Sequence, residues 1–240
     1  MDTWIYIINL FYVALELAYL TTCIVVMVRI YKYMKNSEEQ DKVLSKVTFI
    51  FLAFCVLGII SHNKGFITEF GQIPFIMFIV AEILYLWFVM KISIKRKALI
   101  GLFSVLFGIL LLTLPFLVFK AYKETQYDPL FAAESLLASS VSYAYFTQLG
   151  DEIKFKNVLE DKITLVMLGL FFCYSLPFAY NTTVAAINIF EPDLFNRIRN
   201  NNLDRFLLIT ISRVGTVCYI ILNIFFYKAF KWKTPVQIGI

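Results

Sequence analysis

Residues 73–91 read IPFIMFIVAEILYLWFVMK, an apolar run with a single acid, Glu82, near its centre. About 20 predominantly apolar residues suffice for a helix to cross the hydrocarbon core of a bilayer. A charged side chain at that depth costs at least about 2.5 to 3.5 kcal/mol, so it normally faces the interior of a helix bundle and has a partner there. This stretch therefore predicts an integral membrane protein with a polar interior.

The rest of the chain repeats this pattern. Seven spans are predicted, at residues 5–29, 43–61, 73–91, 99–119, 129–149, 163–190 and 203–230. Apolar residues make up 60% of the 240, and the mean hydropathy is +0.75, which argues against a soluble fold. Because the connections are too short for an extramembrane domain, we expect an all-α seven-helix bundle that forms one domain over residues 1–240.

Basic residues are concentrated on one side of the predicted bundle. Fifteen lysines and arginines fall on that side and six on the other. By the positive-inside rule, the N-terminus should lie outside and the C-terminus in the cytoplasm. The net charge of +5 follows from these connections, so no nucleic-acid partner is expected. We also expect no cleaved signal peptide, because no basic residue precedes Trp4.

Three further spans carry a charge: Glu16 in the first, Glu134 in the fifth and Arg213 in the seventh. Arg213 is expected to pair with Glu82, since a guanidinium can bind a carboxylate through two hydrogen bonds. The remaining central acid must then be protonated, hydrogen-bonded or hydrated. Two interpretations stay open: a clamp that fixes helix packing, or a pocket lined by these four residues that responds to a proton or a ligand.

Spans five and six contain further candidates. Ser135, Ser139 and Ser142 follow i, i+4, i+7 spacing and share one helix face, which is typical of close helix packing or of a ligand-lining surface. Pro177 falls in the middle of span six, where it removes a backbone hydrogen bond and favours a kink. The kink is either a bend that fits the neighbouring helices or a hinge.

The sequence contains no recognisable catalytic motif. His62 is the only histidine, the only aspartate within the predicted spans is Asp204 at the edge of the seventh, and there is no GxSxG motif. Span seven has no lysine at mid-membrane depth for a retinal Schiff base. The four cysteines, Cys23, Cys55, Cys173 and Cys218, lie in apolar runs and are expected to be packing residues. We therefore predict a protein that is not an enzyme and has no metal or cofactor.

Three passages carry a resemblance to a family. They are AEILYLWFVMKISIKRK at 81–97, ESLLASSVSYAYFTQL at 134–149 and ILNIFFYKAFKW at 221–232. With these passages the chain resembles short seven-helix membrane proteins of Bacteroidota, which are similar to membrane sensor segments that precede histidine kinases. The resemblance places Glu82 and Glu134 at positions where the family has glutamates, whereas Arg213 has no assigned family position.

The leading functional prediction is a non-enzymatic membrane sensor or regulatory subunit. It would bind a small or lipidic ligand, or a membrane partner, in the polar pocket. Because the sequence to Ile240 shows no dimerisation helix or kinase domain, its signal would pass to a partner such as a histidine kinase. The alternative is a small transporter or proton-coupled carrier. A membrane enzyme acting on lipids is a third class, but the central charges lie too deep for it.

Overall fold

The computed structural model describes residues 2–35, 39–62, 72–124, 128–152, 161–200 and 213–231. This part of the chain forms eight α-helices and contains no strand, which confirms the all-α prediction for it. The helices are α1 Asp2–Lys35, α2 Glu39–His62, α3 Gln72–Ser93, α4 Lys97–Glu124, α5 Asp128–Glu152, α6 Lys162–Phe190, α7 Pro192–Asn200 and α8 Val214–Ala229.

The first six predicted spans each lie inside one helix, α1 to α6 in order. In the seventh, residues 214–229 form α8, while 203–212 lie outside the described residues. One short helix was not expected. In the connection after α6, Pro192 opens α7, a position where its fixed φ suits the first helical turn. Leu194, Phe195 and Ile198 recur on one side of this helix, so α7 is amphipathic.

Five helices contain stretches that are long and apolar enough to cross a membrane. These stretches are Leu10–Lys35, Lys42–Ile60, Ile76–Ser93, Lys97–Leu114 and Lys162–Val184. The apolar part of α8 is shorter, at 16 residues, and α5 carries more serine and acidic side chains. The five stretches indicate a helical membrane protein.

The helices form a ring in the order of the sequence. Each of α1 to α6 packs on the next, α6 packs on α8, and α8 packs back on α1, while α7 packs on α6. Helix direction alternates from α1 to α6, whereas α8 runs parallel to its neighbour α1, because both helices finish at the same end. For example, Lys162 at the start of α6 contacts Tyr33 near the end of α1, and Gln148 near the end of α5 accepts a hydrogen bond from the backbone N–H of Lys95, just after α3.

One end of the ring carries most of the exposed positive charge among the described residues. It is the end where α1, α3, α5 and α8 finish, and we call it the basic end. Its exposed basic side chains are Lys32, Lys35, Lys46, Lys91, Lys95, Arg96, Lys97, Lys228 and Lys231.

Aromatic side chains fill the middle of the ring, and Tyr85 of α3 is one of them. Tyr85 stacks on Phe51 of α2, with ring centroids 4.4 Å apart, and meets Phe226 of α8 edge-on at 5.9 Å. Its hydroxyl shares a hydrogen bond with Thr48, 3.3 Å away. A buried tyrosine normally requires such a polar partner. Tyr85 therefore links three helices and orients α3 so that Glu82, one turn earlier, also faces inward.

Helices α6 and α8 approach each other closely at Gly169. A Cβ atom at this position would lie 2.9 Å from both Leu222 Cδ1 and Phe225 Cβ. Glycine at a helix contact lets backbones come together in the membrane, where packing rather than water exclusion holds helices. The close contact places Tyr174 of α6 and Tyr219 of α8 on the same side, toward α3.

Candidate functional site

The carboxyl group of Glu82 joins three helices. Glu82 is fully buried, with 0% of its surface exposed. Its Oε1 accepts a hydrogen bond from the Tyr174 hydroxyl of α6 and another from the Tyr219 hydroxyl of α8. Hydrogen bonds to a carboxylate are stronger than those between neutral groups. Glu82 is thus a hydrogen-bonding centre between α3, α6 and α8.

A fourth helix brings a second acid to this centre. Glu134 of α5 is also buried, and its carboxyl group interacts directly with that of Glu82. Glu82 Oε2 and Glu134 Oε1 accept no hydrogen bond from the described residues. Two carboxylates in contact within apolar surroundings repel each other, whereas one proton shared between them replaces the repulsion with a hydrogen bond. The acid pair, Glu82 and Glu134, is therefore a place where the protein can hold a proton.

The acid pair lies inside an aromatic and thiol shell. The Tyr219 ring contacts Tyr19, Tyr174 and Phe78, with centroids 5.5, 6.3 and 6.4 Å away. The buried thiols of Cys55 on α2 and Cys173 on α6 also lie near Glu82. All four cysteines are free thiols and buried, as their apolar sequence context predicts. Among the described residues, no group of three histidine, cysteine or acidic side chains is placed to hold a metal ion.

Arg213 does not pair with Glu82, so that prediction is wrong. Its Nη1 donates to Glu16 Oε1 at 2.7 Å, and its guanidinium lies 5.1 Å above the ring centroid of Tyr12. Arg213 immediately precedes α8, six residues before Tyr219, which corresponds to about 9 Å along a helix. Its side chain points to α1, and the two tyrosines rather than Arg213 donate hydrogen bonds to Glu82 Oε1. The four charged residues therefore form two separate contacts in the described part of the chain.

The Glu16–Arg213 ion pair belongs to a polar seam between α1 and α8. Further along the seam, Asn223 Nδ2 donates to Thr22 Oγ1 at 3.0 Å. At its other end, Arg29 Nε donates to the carbonyl oxygen of Phe230 at 3.2 Å. These contacts are spaced along the whole of α8. This arrangement favours the interpretation of Arg213 as a clamp that fixes helix packing.

Replacing Arg213 with leucine should lower the free energy of unfolding by about 1 to 2 kcal/mol, because Glu16 loses its partner. The pair is partly exposed, at 28% and 23%, so we expect less than for a fully buried pair. SDS titration of the purified protein in micelles measures the change. The double variant Arg213→Leu/Glu16→Leu should recover part of the loss, since it leaves no unpaired charge. Unchanged stability of Arg213→Leu would contradict a clamp.

The serines of α5 have different environments. Ser142 is buried, and its hydroxyl donates to the Ala138 carbonyl at 2.9 Å, which satisfies it within its own helix. Ser135 is also buried. The Ser139 hydroxyl oxygen is buried and has no hydrogen-bond partner among the described residues. Helix α5 packs most extensively on α6. The Ser142 hydroxyl, satisfied within its own helix, therefore supports the packing interpretation. The Ser139 hydroxyl can still form a hydrogen bond.

Pro177 lies inside α6, which continues through it from Lys162 to Phe190. It has no N–H to donate to the carbonyl of Cys173, so α6 lacks one of its backbone hydrogen bonds at this point. Tyr174, which binds Glu82, lies one turn before Pro177. The weak point of α6 is therefore adjacent to the acid pair.

Tyr174 and Tyr219 are not among the predicted site residues, although the sequence contains a signal for them. Both residues fall well inside apolar runs, where a tyrosine hydroxyl requires a hydrogen-bond partner. Glu82 lies at a matching depth, but depth alone does not select it as that partner.

No protein-family model matches this chain, and no curated protein or solved structure matches it either. The resemblance to sensor segments of Bacteroidota therefore stays a prediction.

Proposed function

We propose that the chain crosses the bacterial inner membrane seven times, with its N-terminus outside and its C-terminus in the cytoplasm. Three observations support this topology. Helices α5 and α8 occupy places in the same ring as the five long apolar helices. Helix direction alternates from α1 to α6, and α8 runs in the same direction as α1, as a first and a seventh span must. The basic end collects positive side chains, as expected of a cytoplasmic surface.

We propose further that the protein is a non-enzymatic, proton-responsive membrane sensor or regulatory subunit. The observation that carries this proposal is the position of Glu82, which accepts hydrogen bonds from α6 and α8 while its carboxyl group meets Glu134 of α5. A proton gained or lost there changes the interaction between four helices at once. An intramembrane acid with such contacts is a functional candidate on physical grounds.

The mechanism requires two helix arrangements that bind the proton unequally. With the proton shared, the acid pair holds α3 and α5 together. Without it, the two carboxylates repel, and the hydroxyls of Tyr174 and Tyr219 must compensate for two charges. Pro177 gives α6 a place to bend, one turn from Tyr174. The titratable groups that interact with Glu82 are Tyr19, Cys55, Glu134, Cys173, Tyr174 and Tyr219.

The partner in this proposal is a membrane signalling protein such as a histidine kinase. A change in the relative positions of α3, α5, α6 and α8 moves the basic end, where three of these helices finish and α6 begins. A partner that contacts this end would sense the movement.

Glu82→Gln should remove the pH response while retaining the fold, because the amide oxygen still accepts hydrogen bonds from tyrosine but the side chain no longer exchanges a proton. We expect the distance between spin labels on α6 and α8 to change with pH in the wild type, because the acid pair gains or loses a proton. The variant should show no change. Double electron–electron resonance in nanodiscs measures this distance.

The matched control is Glu16→Gln, which also removes one intramembrane acid but lies outside the acid pair. It should keep the wild-type pH response. A wild-type distance that does not change with pH, or a Glu82→Gln response equal to that of the wild type, would contradict the proposal.

A small proton-coupled carrier is the second candidate. It is favoured by the oxygens Glu82 Oε2 and Glu134 Oε1, which accept no hydrogen bond from the described residues and can bind a small donor. This candidate predicts proton flux across liposome membranes that contain the purified protein, and loss of that flux in Glu82→Gln. A wild-type protein that shows the pH-dependent distance change but no flux would support the sensor.

A further inference from the structure

Arg29 is held rigidly at the basic end of the α1–α8 seam. Its guanidinium carbon lies 3.7 Å from the ring centroid of Tyr227, and its Nε donates to the Phe230 carbonyl. Neither terminal nitrogen makes a hydrogen bond with the described residues. A guanidinium has five N–H donors, so four of them, on the two terminal nitrogens, remain for another acceptor. The stacking on Tyr227 fixes the plane in which these donors point.

Two lysines reinforce the positive charge at this position. Lys228 and Lys231 directly follow Tyr227 and Phe230 in the chain, and both are exposed. The C-terminus of α8 lies here too, and a helix end of this kind contributes about half of a negative elementary charge. Three cations outweigh that contribution. The end of the seam is therefore electropositive, and Arg29 is the cation whose position is fixed by contacts with Tyr227 and Phe230.

The surface next to Arg29 in the direction of the membrane centre is apolar. Val25 lies one turn before Arg29 on α1, and Ile224 lies about one turn before Tyr227 on α8. Both side chains are 48% exposed. The seam thus presents fixed N–H donors at the membrane boundary and an apolar face directly below them. This distribution is complementary to an amphiphile with an anionic head.

We propose that this surface, the Arg29 seam, binds an anionic phospholipid. The phosphate accepts hydrogen bonds from the terminal nitrogens of Arg29, and the acyl chains lie along Val25 and Ile224. A planar guanidinium matches a phosphate through two parallel hydrogen bonds. Basic pockets between membrane helices on the cytoplasmic side are suited to anionic lipid headgroups. A zwitterionic lipid fits less well, because Lys228 and Lys231 repel its ammonium group. The proposal does not depend on the acid pair.

Native mass spectrometry of the delipidated protein in detergent tests the proposal, with phosphatidylglycerol and phosphatidylcholine as titrants. We expect the first phosphatidylglycerol to bind about tenfold more tightly than phosphatidylcholine, and Arg29→Gln to remove that difference, since one strong charge-assisted contact corresponds to about a factor of ten. Arg29→Lys should restore it only in part, because an ammonium cannot form the two parallel bonds.

The matched control is Lys97→Gln on α4, an exposed basic residue at the same end of the ring. It should change phosphatidylglycerol binding by less than about threefold, as expected for an exposed surface charge. An equal loss in Arg29→Gln and Lys97→Gln would show diffuse attraction and overturn the proposal. Inorganic phosphate that displaces the lipid at millimolar concentration would also overturn it, because the site would then bind a free anion.

If Arg29→Gln fails to fold, the double variant Lys228→Gln/Lys231→Gln tests the proposal instead. Both side chains are exposed and lie outside the packed interior. It should weaken phosphatidylglycerol binding by about fivefold or more, as two basic residues near an anionic headgroup would. Unchanged binding in this variant would overturn the proposal.

Discussion

Replacing Glu82 with leucine is expected to lower the free energy of unfolding by about 2 to 5 kcal/mol. The substitution leaves the hydroxyls of Tyr174 and Tyr219 without their acceptor in the middle of the ring. Each buried, unpaired hydroxyl costs about 1 to 3 kcal/mol, and apolar surroundings offer no replacement from water. SDS titration in micelles, followed by circular dichroism, measures the change.

The triple variant Glu82→Leu/Tyr174→Phe/Tyr219→Phe is the informative comparison. It removes the donors together with the acceptor, so most of the lost stability should return. Glu82→Gln keeps an acceptor oxygen and should cost less than either leucine variant. If the triple variant is no more stable than Glu82→Leu alone, the two hydroxyls do not account for the loss, and the hydrogen-bonding role assigned to Glu82 is wrong.

Replacing Gly169 with valine should lower the free energy of unfolding by about 2 to 3 kcal/mol. Even the Cβ atom would lie 2.9 Å from Leu222 and Phe225 on α8, and valine adds two methyl groups beyond it. Because Phe225 meets the new atom with its own Cβ, a change of rotamer cannot relieve the contact, and α6 must move away from α8. The same SDS titration measures this loss.

Gly108→Val on α4 is the matched control, because a Cβ there meets nothing within 4 Å. It should change stability by no more than about 0.5 kcal/mol, as a surface substitution does. The double variant Gly169→Val/Leu222→Ala should recover part of the loss by making room on α8. Equal losses in Gly169→Val and Gly108→Val would show that the α6–α8 contact is not responsible, since valine has a higher helix propensity than glycine.

The positions of the helices could be predicted from the sequence because few backbone conformations are stable in lipid. A backbone in hydrocarbon must satisfy its own hydrogen bonds, so a long apolar run such as 73–91 is a helix regardless of its neighbours. The same constraint predicted that Glu82 faces the interior. Helix α7 was not predicted because it is short and amphipathic, and a hydropathy profile does not distinguish its polar residues from those of a loop.

The partners of the buried charges could not be read from the sequence. The predicted pairing of Arg213 with Glu82 is wrong because a depth estimated from an apolar run does not fix the rotation of a helix about its axis. Packing sets that rotation. The Tyr85 stack orients α3, and the contact at Gly169 orients α6 against α8, so that tyrosines rather than arginine meet Glu82. Such contacts join residues that are far apart in the chain. The periodicity of apolar residues within one helix does not predict them.

The closure of the ring by α8 has a consequence for how the protein is made. During synthesis α1 enters the membrane well before α8, yet these two helices are neighbours in the folded protein. Until α8 arrives, Glu16 lacks the arginine that pairs with it, and Arg29 lacks both its carbonyl acceptor and the tyrosine beneath it. A nascent chain stalled before residue 213 therefore holds both charges in the membrane without these partners, and the cost of removing them from water is not yet offset.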